Sequence, residues 1–269
     1  MLPCKFFVFF KRDMLENMSY KTQFAFDVFS TLAQILVFFY IAKLFNHGGF
    51  PELETYAGNF FSFVLLGIVL AGYHSAALES FAKAIYREQS AGTLEAIVLS
   101  PTPLQTVILS SLFWTSLFTT FRLFIYLMIG YLFFQADFSR INFFSAAVTL
   151  LLSLASLSGL GMISAGLVLI LKRADPLSYL LNGLSRLISG VYFPSALLPS
   201  GIKALSLVLP LTYSLEAMRK AVLLGAGPEG LRNEWLVLGF FSVLFLPLGL
   251  LFFKGALRKV LRDGTLHLS

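Results

Sequence analysis

Residues 143–171 read FFSAAVTLLLSLASLSGLGMISAGLVLIL, a run of 29 residues without a charged side chain. A helix needs about 20 apolar residues to cross the hydrocarbon core of a bilayer, so this run is long enough to span a membrane. Of the 269 residues in the chain, 57% are hydrophobic and 13% are charged. Soluble domains carry about 25% charged residues. The composition therefore predicts an all-α polytopic membrane protein.

Five further apolar stretches give a prediction of six transmembrane helices. The small residues at 154–166 favour close packing of the fourth helix against a neighbour. We expect residues 1–269 to form a single transmembrane domain. Its predicted parts are a surface helix at 1–23, spans one to five within 24–192 (24–42, 57–78, 104–134, 143–171 and from about 176), an outer segment at 193–234, span six at 235–254 and a tail at 255–269.

The basic residues predict the orientation of these spans. With six spans, twelve Lys and Arg residues fall on the side of the two termini and six on the other side. Cytoplasmic loops carry the excess of basic residues, so both termini are expected in the cytoplasm and the chain in the inner (plasma) membrane. No run of five basic residues occurs, so the net charge of +6 is attributed to topology and not to nucleic-acid binding.

Residues 201–225 are apolar enough for a seventh span, but that count would place the basic tail outside, against the charge rule. We therefore expect two short re-entrant helices in the outer leaflet between spans five and six. The residues singled out in this segment are Gly190, Pro194, Pro199, Pro210, Tyr213, Glu216 and Arg219.

Before the first span, apolar residues recur at helical spacing. They are Phe7, Phe10, Met14 and Met18, with charged residues elsewhere on the helical wheel. The pattern predicts a helix along the cytoplasmic membrane surface. A disordered basic tail fits less well with so many aromatic residues.

The loop after the second span, YREQSAGTLEAIVLSPTP at residues 86–103, is cytoplasmic in this topology. Gly92 can end the preceding helix in a left-handed cap. Thr93 is a good N-cap for a new short helix, and Glu95 lies in its first turn, where the helix dipole favours an anion. Pro101 and Pro103 end the helix before the third span.

The short helix has one apolar face, formed by Leu94, Ile97 and Val98 at positions i, i+3 and i+4. A helix of two turns does not stay folded alone in water. We therefore expect this face to be covered by a partner, a soluble protein docked below the membrane.

Several motifs in order resemble those of type-2 permeases of ATP-binding-cassette (ABC) transporters. The first is E-x-x-x-G-T-L-E-x-I, beginning at Glu88 and followed by a proline at 101. The others are SGVYFP at 189–194, LP at 198–199 and PLTYSLEAMR at 210–219. Leu209 stands where members of that family often have Asn. The resemblance extends over essentially the whole chain.

The resemblance implies a transmembrane subunit that pairs with a separate ATPase, which holds ATP and Mg²⁺, and with a second permease copy. It also implies export of a drug-like, lipid or glycolipid/polysaccharide substrate. The loop would be the coupling helix, seated in a groove of the ATPase. Its candidate residues are Arg87, Glu88, Gly92, Thr93, Leu94, Glu95, Ile97, Val98 and Pro101.

Three charged residues lie within predicted spans. A charge at the centre of a span costs about 2.5–3.5 kcal/mol on insertion scales, so a pathway or pairing role is expected. Arg122 lies about 27 Å along the third span, where its side chain could also extend to outer headgroups. Arg186 lies closer to mid-depth and should face protein or a cavity, with Asp27 as one possible carboxylate partner. Asp27 could instead be interfacial.

The sequence offers no catalytic or metal motif. It contains no G-x-x-x-x-G-K-[ST], HExxH or G-x-S-x-G, and its three histidines are far apart. We expect no metal and no cofactor in this chain, which would be a transport subunit and not an enzyme. The alternative of an ion-coupled secondary transporter predicts carboxylates or histidines at mid-membrane, and the spans have almost none.

Overall fold

The computed structural model describes residues 2–19, 21–45, 60–100, 104–172 and 176–263. Within these ranges the chain is helical and has no strand, which confirms the predicted fold class. The helices are α1 (Leu2–Ser19), α2 (Lys21–Phe45), α3 (Phe60–Ser90), α4 (Leu94–Leu99), α5 (Leu104–Phe134), α6 (Phe143–Leu171), α7 (Pro176–Ile188), α8 (Ser200–Ser206), α9 (Pro210–Leu223) and α10 (Arg232–Arg262), with 3₁₀ turns at Ser195–Leu197 and Pro228–Leu231.

Five of these helices are long and apolar enough to cross a membrane: α2, α3, α5, α6 and α10. The predicted third and fourth spans coincide with α5 and α6 residue for residue. Helix α3 continues from the second span past residue 78 to Ser90, as expected from a cap at Gly92; residues 57–59 lie outside the described ranges. These helices show a multi-pass membrane protein.

The predicted fifth span is represented by α7, which has only 13 residues. At 1.5 Å per residue it is about 20 Å long, shorter than a hydrocarbon core of about 30 Å. The chain leaves the helix at Gly190, which takes a φ of +83°. The part of the chain that the structure describes therefore does not confirm a sixth full-length span.

Helix α3 lies at the centre of the bundle, and most of its side chains are buried. It packs against α2, α5, α6 and α9. In contrast to α3, helix α2 has many exposed side chains; Phe26 and Phe29 are 74% and 72% exposed. Its apolar surface is left for lipid or another protein.

The small residues of α6 let α10 pack closely against it, as predicted. A side chain at Gly159 would overlap the backbone of Phe245, and one at Gly249 would overlap the carbonyl of Gly159. Close backbone approach of this kind supports helix association in lipid, where the hydrophobic effect does not act between helices.

Candidate functional site

The loop after α3 reverses the chain with one left-handed residue. Gly92 takes a φ of +68°, as expected for its place after the end of the helix. The N–H of Thr93 donates to the carbonyl of Glu88 at 3.0 Å, and the N–H of Gly92 donates to the carbonyl of Gln89 at 3.1 Å. Helix α4 then begins at Leu94, with Glu95 in its first turn as predicted.

The predicted side-chain cap by Thr93 is wrong, because its hydroxyl makes no hydrogen bond to the N–H groups of α4. Its backbone is helical, with φ −90° and ψ −11°, and not extended as at most N-caps. The hydroxyl therefore turns back and donates to Oε2 of Glu88 at 2.6 Å. Thr93 serves to tie the loop to α3.

Glu88 is buried, with 3% of its surface exposed. Besides Thr93, its carboxylate contacts Arg12 of α1, with Nη1 at 2.8 Å from Oε1. A buried carboxylate requires such partners, since removing it from water is costly. Glu88 therefore joins three segments: α1, the end of α3 and the loop that leads to α4.

The neighbouring Arg87 makes a second connection to α1. Its Nη2 donates to Oδ1 of Asp13 at 2.8 Å, and its Nη1 donates to Oε2 of Glu16 at 3.0 Å. Asp13 is itself buried. We call this set the Glu88 network; its members are Arg12, Asp13, Glu16, Arg87, Glu88 and Thr93. The network fixes α1 against the end of α3.

The sequence did not indicate the part of α1 in this network, because its charged residues looked like the solvated face of a surface helix. The structure instead packs Phe10 of α1 against Phe113 and Trp114 of α5. The pattern that could have indicated this role is the pair Asp13 and Glu16, one turn apart, because two carboxylates on one face of a helix can form ion pairs with an arginine. The side chain of Met18 lies outside the described part of the chain.

The apolar face of α4 is covered by the chain itself at Leu94 and in part at Ile97 and Val98, so the expectation that a partner covers this face is wrong for Leu94. Leu94 is 1% exposed and packs with Phe81 and Leu104. Ile97 and Val98 are partly buried against the same cluster. The covering residues come from both α3 and α5, the helices on either side of the loop in sequence.

The exposed face of α4 carries different residues: Glu95, Ala96 and Leu99. Leu99 is 79% exposed, which is unusual for a large apolar residue at the tip of a short helix. A groove of about 520 Å³ runs beside it between α1 and α4, lined in part by Phe9 and Ala91. Pro101 lies outside the described residues.

Arg122 pairs with Asp27, so the suggested pairing of Arg186 with Asp27 is wrong. Nη1 of Arg122 lies 3.8 Å from Oδ2 of Asp27. Its guanidinium also lies over the rings of Phe24 and Phe118, 5.4 and 5.2 Å from their centroids. The extension of Arg122 to outer headgroups stays a prediction.

Arg186 instead contacts α3, where its Nη2 donates to Oγ of Ser75 at 3.3 Å. Arg186 and Arg122 line the same cavity of about 200 Å³ between α2, α3, α5 and α7. In the sequence the whole of α6 separates these two arginines, and only the packing of the helices brings them to one cavity.

The family of the chain follows from comparison with known proteins. The sequence model described as "ABC-2 type transporter" matches residues 5–223, which include the Glu88 network, α4, Arg122 and Arg186. The chain belongs to the ABC-2 type transporter family. This family supplies the transport subunits of ABC transporters, which work with an ATP-binding subunit. No curated protein matches the sequence.

The ABC-2 match ends at the last residue of α9, in the segment that sequence analysis singled out between spans five and six. Here Arg219 is 3% exposed and donates to the carbonyls of Phe63 and Val191 at 3.2 and 3.1 Å. Its guanidinium lies 3.4 Å from the centroid of the Phe63 ring. Arg219 thus holds α9 and the end of α7 on α3.

Other predicted residues of this ABC-2 segment have local roles. Pro210 begins α9, and Pro194 and Pro199 precede the 3₁₀ turn and α8. The hydroxyl of Tyr213 donates to the carbonyl of Leu207 at 3.0 Å. The segment contains the two short helices that the sequence predicted.

Lys220 of α9 forms the second charged contact of this segment. Its Nζ lies 2.7 Å from Oε1 of Glu234 and 3.6 Å from Oε1 of Glu216. Burial alone would lower the pKa of Lys220, but the hydrogen bonds and negative charges of these carboxylates outweigh it and the pKa is raised. Lys220 therefore stays charged and links α9 to α10. No cluster suitable for a metal ion occurs among the described residues.

Proposed function

We propose that this chain is the permease subunit of an ABC exporter, and that a separate ATPase drives it by docking on α4. The observation that carries the proposal is the Glu88 network. It joins the loop that would face the ATPase to both α1 and α3 through contacts of 2.6–3.0 Å. A displacement of the loop would therefore be passed to both helices through these contacts.

The packing of α4 suggests how force would reach the spans. Leu94 lies in a cluster with residues of α3, α5, α6 and α10, so a displacement of α4 is resisted by four spans at once. Packed interiors transmit such strain because they have low compressibility. Movement of the docked ATPase would therefore tilt the cytoplasmic ends of these spans together.

The docking face would be Glu95, Ala96 and Leu99, since the opposite face is already covered. Burial of an exposed leucine contributes about 25 cal/mol per Å², which the costs of association partly cancel. Glu95 would set orientation more than affinity. The charge of Glu95 would thus select the partner, and the apolar side chain of Leu99 would contribute to binding it.

The finer topology is part of the proposal. Helix α7 would be a short fifth crossing of the plasma membrane, and α8 and α9 would enter its outer leaflet and return. Both termini would lie in the cytoplasm. Helix α1 would lie along the membrane surface. The exposed aromatic faces of α2 and α5, including Phe26, Phe29, Phe121 and Phe124, support contact with lipid or with a second permease copy.

The substrate would be a drug-like, lipid or glycolipid/polysaccharide molecule, as the resemblance to type-2 permeases implies. An ion-coupled transporter is less favoured, because the one described carboxylate of α2, Asp27, pairs with Arg122 and is half exposed. The driving energy would therefore come from the ATPase.

The test measures ATP hydrolysis and transport by the reconstituted permease and ATPase, with the Gly92→Val and Glu88→Ala variants. Valine disfavours the φ of +68° that Gly92 adopts and should misdirect α4. Glu88→Ala removes the acceptor that ties Thr93 and Arg12 together. We expect both variants to insert and dimerise normally, and to lose permease-dependent hydrolysis and transport.

Gly227→Val and Glu229→Ala are the matched controls. Gly227 has extended backbone and open space around it, and Glu229 is exposed, so both changes should preserve coupling. Wild-type transport by Gly92→Val and Glu88→Ala would show that this loop is not the coupling element.

A further inference from the structure

The cavity between α2, α3, α5 and α7 has an unusual lining for an intramembrane space. Its charged residues are Arg122 and Arg186, and no carboxylate lines it among the described residues. A positive charge within a span is expensive unless it faces a partner, water or a ligand. Two such charges at one cavity suit a ligand that carries negative charge.

Neither arginine is fully compensated by the protein. Arg186 is exposed in the single chain, has no ion-pair partner in the described ranges, and donates a hydrogen bond to the hydroxyl of Ser75. Arg122 has Asp27 at 3.8 Å, longer than a charge-assisted hydrogen bond of about 2.7–2.9 Å. The Asp27 side chain is also 51% exposed, so water screens it. Nε of Arg122 has no acceptor in the described part of the chain.

A neutral donor adds to the two cations. Tyr126 lines the same cavity and is 4% exposed, yet its hydroxyl has no hydrogen-bond partner among the described residues. Buried polar groups nearly always have one. Tyr192 accepts a hydrogen bond from Nε2 of Gln34 at 3.0 Å, which leaves its own proton for an acceptor. The lining thus offers donors and needs an acceptor with several oxygens.

Apolar surface continues from this cavity. Ile68, Val69 and Leu123 are part of its lining, together with polar residues of α2, α3 and α5: Ser30, Thr31, Gln34, Tyr73 and Thr119. A second cavity of about 410 Å³ shares Arg122 with it. Phe24, Trp114 and Phe118 give it an aromatic wall, and its charged lining residues besides Arg122 are Asp13, Asp27, Lys83 and Arg87. The two spaces together pair a cationic compartment with an aromatic wall, which suits a molecule with one anionic end and one apolar end.

We propose that these two cavities bind an anionic amphiphile, whose phosphate, sulfate or carboxylate head lies between Arg122, Arg186 and Tyr126 and whose apolar body lies against Trp114 and Phe118. The inference rests on the proposed function, in which it narrows the substrate to anionic amphiphiles. The anionic head would bind the two arginines and would have to displace only the loose contact between Arg122 and Asp27.

Trp114 provides the readout, because the chain has two tryptophans and the other, Trp235, lies on α10 and donates to Thr149. The full-length chain with Trp235→Phe, in phosphatidylcholine nanodiscs, is titrated with dodecyl phosphate, dodecyl maltoside or inorganic phosphate. Tryptophan fluorescence should change saturably with dodecyl phosphate, while dodecyl maltoside and inorganic phosphate give no saturable change in that range.

Arg122→Gln and Arg186→Gln should each weaken binding of dodecyl phosphate on the order of tenfold or more, the effect of losing a hydrogen bond to a charged group. Tyr126→Phe keeps the ring in place and should weaken it by roughly a few-fold. Arg140→Gln, at an exposed loop position, is the matched control and should bind as the parent chain does.

Unchanged binding in Arg122→Gln and Arg186→Gln would overturn the site, and if these variants do not insert, unchanged binding in Tyr126→Phe would do so. An equal response to dodecyl maltoside would overturn the anionic head, and an equal response to inorganic phosphate would reassign the site to a free anion. No ATPase is present, so failure here leaves the coupling proposal standing, and failure of coupling leaves this binding result unaffected.

Discussion

The two ends of α3 are both held by buried charged residues, but their partners differ in kind. Near Phe60, Arg219 donates to the backbone carbonyls of Phe63 and Val191. Near Ser90, Glu88 is held by the side chains of Thr93 and Arg12. Backbone acceptors move only when a whole segment moves, whereas side chains change partners by rotation.

The difference indicates one rigid end and one adjustable end. Arg219 is 3% exposed and lies over an aromatic ring, so its contacts are shielded from water. The side chain of Arg12 is 36% exposed, so water can replace part of its contact with Glu88. An ATPase docked near the Ser90 end would act on contacts that can rearrange, while the contacts of Arg219 would keep the Phe60 end of α3 in place.

The first prediction concerns the side of the membrane on which each end of α3 lies, and the expected cysteine labelling is all or none. In a chain with Cys4→Ser, a cysteine at exposed Ser90 should react with an impermeant maleimide only after the cell is permeabilised. One at exposed Ser200, in the segment next to the Phe60 end, should react in intact cells. Labelling of both from one side would contradict the six-span topology.

The second prediction concerns the rigid end. Arg219→Ala removes the donor of the Val191 carbonyl, a second hydrogen bond to the carbonyl of Phe63 and the contact with the Phe63 ring, which together should cost about 3 kcal/mol of stability. The measurement is the midpoint of thermal unfolding of the purified chain in detergent.

Lys203→Ala on α8 is its control, because Lys203 is exposed in the same segment. We expect this change to stay within about 0.5 kcal/mol of the parent chain. If Arg219→Ala unfolds at the same temperature as Lys203→Ala, the Phe60 end is not anchored by this arginine.

The third prediction separates the two faces of α4 at the adjustable end. Leu94→Ala creates a cavity in a packed cluster and should destabilise the chain by about 2–3 kcal/mol. Leu99→Ala changes an exposed residue and should leave unfolding within about 0.5 kcal/mol of the parent chain. Leu99→Ala should nevertheless weaken copurification of the ATPase.

Thermal unfolding and pull-down of the ATPase on the same two variants check this contrast. A stable Leu94→Ala chain combined with lost ATPase binding would mean that the face identified as internal is the docking face after all.

Helical periodicity and hydropathy were sufficient to predict α5 and α6 exactly, because an apolar run between polar ends has only one stable state in lipid. The left-handed Gly92 was also predictable, since a glycine after a helix commonly ends it. The short α7 was not, because apolar residues after Ser189 continue the pattern while Gly190 breaks the helix.

The covering of α4 was the main error in the candidate site. The pattern of Leu94, Ile97 and Val98 correctly predicted one apolar face, but a pattern does not say which surface covers it. That surface comes from Phe81 and Leu104, on either side of the loop in sequence, once α3 and α5 pack. The role of α1 was missed for the same reason, since Asp13 finds Arg87 only through the fold.

By itself, the sequence determined the fold class, the apolar spans and the turn at Gly92, since these depend on local composition and backbone conformation. The tertiary structure alone decided that Glu88 joins α1 to the loop, that Arg122 takes Asp27, and that Arg186 faces the same cavity. Such pairings depend on which helix faces meet across the bundle. The attraction between two charges depends on their distance in space, and their separation along the sequence does not give that distance.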